Sequence, residues 1–160
     1  MGKVAEELVI AASLAEVWSL YFEPRTWPAW VDEFHAVESV SGGYPEAGGR
    51  LVWRSGPSGR GQVTETVIEH EPRRAHRIRY ADPHSEGEQL TTFAIEGEGT
   101  KVTIELVYGL MEPGVLGPIT DRLFIRGQMR AMLIRSLEGL RAEAQELAAA
   151  SAPPAEAGEP

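Results

Sequence analysis

The chain has 160 residues, 42% of them hydrophobic, no cysteine, and a formal net charge of −9, which is the size and composition of one ordinary domain with a sizeable core. The acidic balance argues against a general polyanion binder, nucleic acid included. The absence of cysteine excludes disulfides, thiolate nucleophiles and cysteine-ligated metals.

Residues Val4 to Ile10 have a strand-like pattern in which charged and apolar residues alternate, with no continuous apolar signal core. No segment approaches the roughly 20 apolar residues of a membrane span, so a cytoplasmic protein is expected. Ser13, with Glu16 three residues on, has the form of a capping box. A helix is predicted from there, with Leu14, Val17, Trp18 and Tyr21 on one face, ending before Pro24. A second short helix carries Trp27 and Trp30 one turn apart.

From Phe34 the period changes to two. Strands are predicted over Phe34–Ser41, Gly49–Ser55, Arg60–Glu71, Ala75–Ala81, Glu88–Gly97 and Lys101–Met111, separated by glycine, proline and Asp-Pro turns. A long amphipathic helix follows from Pro118 to Leu147, with the stripe Ile125, Met129, Leu133, Leu137, Leu140, Ala144 and Leu147. One domain over 1–149 is expected, followed by a small, polar, proline-rich tail over 150–160 read as disordered.

Short connections make successive strands antiparallel, so the expected α+β fold is a curved seven-stranded antiparallel sheet wrapped around the C-terminal helix, with two short helices between the first two strands. This order, with Val9–Trp18, then Trp27-Pro28-Ala29-Trp30, then Ser136 to Leu140, resembles the SRPBCC superfamily. That is the helix-grip group of START and birch-pollen-allergen-like proteins and the polyketide cyclase/dehydrase family. The resemblance spans nearly the whole chain and implies a deep apolar cavity between helix and sheet that takes lipids, steroids or polyketides. In the aromatase/cyclase branch it also implies a tyrosine just after the second helix and an inward arginine on a middle strand. Here those places hold Phe34 and His70 or Glu69, with Arg73 and Arg74 displaced into the turn.

Strand alternation nominates the cavity lining independently of the family. Inward sets are Leu51 and Trp53; His76, Ile78 and Tyr80; Thr91, Phe93 and Ile95; and Val102, Ile104, Leu106 and Tyr108. On the strand 60–71 both faces are mixed, and the set Thr64, Thr66, Ile68 and His70 is taken as inward because it leaves Glu65 and Glu69 in water. Trp30 and Phe34 complete the wall. His70, His76 and Tyr80 are the candidate acid–base or carbonyl-polarising groups; an inward histidine is more often purely structural. His35 and His84 are expected at the surface, and the four histidines lack metal-ligand spacing. No metal or cofactor is expected, and neither a phosphate loop nor a nucleophile elbow is present.

On the helical wheel Arg122 and Arg126 share the stripe with Ile125, Met129 and Leu133. A buried unpaired guanidinium is costly, so these two are expected to pair with a carboxylate such as Glu112, to reach water, or to hold the acidic group of a ligand. A second stripe, Leu123, Phe124, Gly127, Ala131 and Ile134, is a candidate homodimer contact. Three function classes remain: a carrier or sensor of a small hydrophobic molecule, which the pattern favours; a cyclase/dehydrase-type enzyme; and a protein-interaction module.

Overall fold

The computed structural model describes residues 1–111 and 118–152, with side chains from 122 onward in the second segment. Glu112 and the tail beyond Ala152 lie outside the described residues. Strand β1 (Gly2–Ile10) leads into helix α1 (Leu14–Tyr21), a 3-10 turn (Pro24–Thr26) and the short α2 (Trp27–Trp30). Strands β2 (Phe34–Ser41), β3 (Arg50–Ser55), β4 (Gln62–Glu71), β5 (Ala75–Ala81), β6 (Ser85–Glu96) and β7 (Gly99–Leu110) follow, and α3 (Pro118–Ser151) ends the described chain. The expected capping box is formed: Ser13 Oγ accepts from the Glu16 N–H at 3.2 Å, and Glu16 Oε2 accepts from the Ser13 N–H at 2.9 Å.

The sheet has seven strands in the order β1-β7-β6-β5-β4-β3-β2, and all its pairings are antiparallel. Hairpins therefore run in sequence from β2 to β7, and β1 closes the far edge by pairing with β7. Helix α3 lies along β1 and against α1 and α2. Its stripe buries Leu133, Leu137, Leu140 and Ala144, while Ile125 and Met129 are half-buried. Leu147 is exposed and Ala148 packs on the core in its place, so the stripe drifts by one residue at the helix end. Gly139 is set against Trp30, and a Cβ there would meet the Trp30 backbone at 2.9 Å. A glycine in mid-helix thus permits the close approach of α2.

Most of the expected inward sets are inward: Leu51, Trp53, His76, Ile78, Tyr80, Thr91, Phe93 and the β7 set Val102, Ile104, Leu106 and Tyr108 are all buried. Ile95, beside the Gly97 turn, is exposed instead. On β4 the expected faces are reversed over most of the strand. Glu65 pairs with Tyr80, Val67 with Ile78 and His70 with His76, and a register shift between Val67 and Glu69 breaks the alternation. Directly opposed residues share a sheet face, so Glu65 and Val67 point inward together with Val63. After the bulge the inward position is taken by His70. Thr66 and Ile68 lie on the outer face and are exposed.

Candidate functional site

Between α2, α3 and the concave face of β3 to β7 lies a chamber of about 90 Å³. Its walls are largely aromatic, with Tyr21, Trp27, Trp30, Phe34, Tyr44 and Trp53, closed by Ile78, Ile104, Met132 and Leu133. A wider depression of about 750 Å³ lies alongside, bounded by the β3–β4 hairpin, the β5–β6 turn and the first half of α3. The two share Asp32, Arg60 and Met132 in their walls, so these three residues stand at the neck between chamber and vestibule. The family resemblance implied a deep apolar cavity; the inner chamber is instead small, and polar groups enter its wall.

The neck is built from two ion pairs. Arg135 on α3 forks onto Asp32 with two N–H donations of 2.9 Å, and Ser136 Oγ accepts from the Asp32 N–H at 3.0 Å. Opposite, Arg60 Nε donates to Asp82 Oδ2 at 2.8 Å, and its guanidinium lies 4.8 Å from the Tyr80 ring centroid and 5.9 Å from that of Trp53. The β3–β4 hairpin aims Arg60 inward. Ser55 N donates to Gly61 O at 2.8 Å, Gly61 N donates to Ser55 Oγ at 2.7 Å, and Gly61 has φ +79°, which glycine adopts without strain. Burial pushes the Asp82 carboxyl up, but the charge of Arg60 and donations from His84 and Ser85 outweigh it and hold the pKa below the ordinary value.

Three polar groups define the chamber chemistry. Glu65 Oε1 accepts the Trp53 indole N–H at 2.8 Å. Burial raises its pKa against the opposing effects of that bond and of Arg60, and the half-buried side chain lines the chamber. Tyr21 Oη and the fully buried Thr91 Oγ1 share a hydrogen bond of 2.9 Å, with the Gln89 amide at 3.4 Å from each; burial lifts the phenol to about 12. His76 Nδ1 and His70 Nδ1 are 3.0 Å apart and share one proton, while His76 Nε2 has no partner among the described residues. Burial, reinforced by His70, lowers the His76 pKa to about 3, so this imidazole is neutral at physiological pH.

Of the residues nominated from sequence, Trp30, Phe34, Trp53, His76, Ile78 and Ile104 line the chamber, and Met129 lines the vestibule. His70 packs against Trp18 and Phe22, behind His76. Phe93, Leu106 and Tyr80 are core residues, and Tyr80 Oη has no hydrogen-bond partner among the described residues. Thr66 and Ile68 are outside, for the reason given by the β4 register. Arg122 and Arg126 are exposed and line a separate groove with Met1, Lys3 and Tyr108, away from the chamber. The wheel put them on the stripe, but at this end of α3 the stripe itself is only half-covered. Leu123, Phe124 and Gly127 are exposed, whereas Ala131 and Ile134 are half-buried and Ala131 faces the vestibule.

The residues missed from sequence are Tyr21, Trp27, Asp32, Tyr44, Arg60, Glu65, Gln89 and Ser136. The signal for Glu65 was available in its β5 partner, since the inward assignment of Tyr80 forces its neighbour inward once the register is known. No group of three or more metal-ligating side chains occurs among the described residues, and no described helix is long and apolar enough to cross a membrane.

The sequence profile of the family described as polyketide cyclase/dehydrase and lipid transport matches residues 1–145. The chain belongs to this family. Solved structures agree on the helix-grip fold of the polyketide cyclase/dehydrase family. The ZhuI aromatase/cyclase of Streptomyces sp. R1128 is 16% identical, with 95% of this chain and 99% of that one covered and a TM-score of 0.77. A START superfamily protein of Mycobacterium smegmatis is 18% identical over 91% and 98% of the two chains, TM-score 0.69. A Thermus thermophilus protein is 25% identical over 94% and 100%, TM-score 0.64. No curated protein sequence matches the chain. The arginine that reaches the chamber of this family member is Arg60, contributed by the β3–β4 hairpin rather than by a middle strand.

Proposed function

We propose that this member of the polyketide cyclase/dehydrase and lipid transport family binds a small, ring-containing hydrophobic molecule, with one end in the chamber and the rest in the vestibule. The observation that carries the reading is the neck: Asp32 and Arg60 are fixed by partners outside the chamber, and with Met132 they border both spaces, which sets the aromatic-walled chamber directly beside the vestibule. A carrier or sensor needs only that shape. The experiment is a thermal-shift and native mass-spectrometry panel of aromatic polyketides, sterols and fatty acids against the wild type and Met132→Trp. Binding by the wild type that is lost in a folded Met132→Trp supports the reading; no shift with any ligand overturns it.

The second reading, catalysis of the cyclase/dehydrase type, is favoured by one specific observation: a neutral, buried His76 lines the chamber, and its Nε2 has no hydrogen-bond partner among the described residues. Such a nitrogen is able to take or give a proton at a bound carbonyl compound, with the Glu65 carboxyl as the opposite partner. Single-turnover assays with a poly-β-keto thioester, wild type against His76→Gln, test it. An unchanged product distribution would remove it.

A further inference from the structure

We infer that the chamber selects a ligand with a cationic amine on or beside an aromatic ring, the ammonium group set against Glu65. This deepens the proposal above and rests on the chamber being the ligand site.

The charge inventory of the wall points this way. Its charged side chains are Asp32, Arg60 and Glu65. Asp32 is neutralised by the Arg135 fork and Arg60 by Asp82. Glu65 belongs to no ion pair among the described residues, and its one hydrogen bond, from Trp53, occupies only one carboxyl oxygen. One unmatched acidic group is therefore left inside a space otherwise neutral by pairing. The local cost of holding it there is seen in its raised pKa; an ammonium placed beside it supplies the missing partner and restores the carboxylate.

The hydrogen-bond inventory agrees. Each indole N–H of the wall is already used: Trp27 donates to Tyr21 O at 2.9 Å, Trp30 to Thr26 Oγ1 at 3.2 Å, and Trp53 to Glu65. What these rings offer a ligand is their π surface, and a π surface with a carboxylate attracts a cation twice over. Ser136 Oγ already accepts from the Asp32 N–H, and Gln89 Nε2 is turned to Tyr21 and Thr91. The wall keeps neutral donors in the Ser136 and Tyr44 hydroxyls, but its one guanidinium, Arg60, is already paired with Asp82, and the two arginines expected to hold an acidic group are outside it.

The test uses three probes of similar size, 2-phenylethylamine, 2-phenylethanol and phenylacetate, titrated into the full chain at pH 7 and followed by calorimetry and tryptophan fluorescence. The amine is expected to bind at least about tenfold tighter than the alcohol, with the acid weakest. Glu65→Gln, which keeps an acceptor for Trp53, is expected to bring the amine-to-alcohol affinity ratio down to about one. Alcohol binding as tight as amine binding in the wild type overturns the inference and leaves the chamber as a ligand site, and this comparison does not depend on the variant folding. A preference that survives in Glu65→Gln overturns it as well. If none of the three binds and indole and naphthalene also fail, the chamber reading itself falls.

Discussion

The Trp53 indole donates its N–H to the Glu65 carboxylate at 2.8 Å across the β3–β4 ladder, on the concave side of the sheet. The two are diagonal neighbours, since Leu51 is opposite Glu65 and Val63 is opposite Trp53. This bond satisfies a buried indole and leaves half of a carboxyl group facing the chamber.

Glu65 gives the first prediction. Burial holds its folded pKa above the ordinary 4.5, so the folded state binds the proton more tightly than the unfolded chain. Its contribution to stability is therefore complete below pH 4.5 and is lost as pH rises through the folded pKa. Glu65→Gln removes that loss. In chemical denaturation at several pH values, the variant is expected to gain on the wild type as pH rises above 4.5 and to lose the advantage in acid.

His76 acts in the opposite direction. Its folded pKa of about 3 lies below the ordinary 6.5, so the stability it contributes is present above pH 6.5 and is lost as pH falls toward 3. Between pH 6.5 and 5.5 the loss is expected to be on the order of 1 kcal/mol. The same denaturation series with His76→Gln is expected to show a flatter dependence in this window. An equal slope in both proteins would assign the acid sensitivity to other groups.

The Asp32–Arg135 fork supplies a salt-dependent prediction. Arg135 is more than half exposed, so Arg135→Gln is expected to cost less than about 1 kcal/mol, and less again in high salt. Arg135→Lys is expected to recover little of the loss, because a single ammonium cannot make both hydrogen bonds. Thermal melts in low and high salt check both.

Two glycines of α3 are expected to respond oppositely to the same change. Nothing lies within 4 Å of a Cβ added at Gly127, so Gly127→Ala is expected to stabilise by about 0.5–1 kcal/mol through the lower entropy of the unfolded chain. At Gly139 the added methyl meets the Trp30 backbone at 2.9 Å, and Gly139→Ala is expected to cost about 1–3 kcal/mol despite the better helix former. Paired denaturation curves decide it; stabilisation in both variants would show that α2 and α3 separate freely.

The alternation of β5 and β7, the capping box at Ser13 and the stripe from Leu133 to Ala144 determined the strand order, the gripping helix and the direction of most core side chains, because each depends on local periodicity alone. That information fails where period and pairing conflict. Pairing with β5 sets Glu65 opposite the inward Tyr80, which puts Glu65 inward and Thr66 outward against the expectation that carboxylates stay in water, and the bulge after Val67 brings His70 back to the inner face. Arg122 and Arg126 failed similarly: a wheel gives direction around a helix axis but not how far the sheet extends to cover it, and the cover ends before them. The neck, formed where Arg60 from one hairpin, Asp32 from the α2–β2 link and Met132 from α3 converge, joins residues far apart in sequence. Only the folded chain brings the three together, since they meet through contacts between elements distant in sequence, such as the hydrogen bonds of Asp32 with Arg135 and Ser136 of α3.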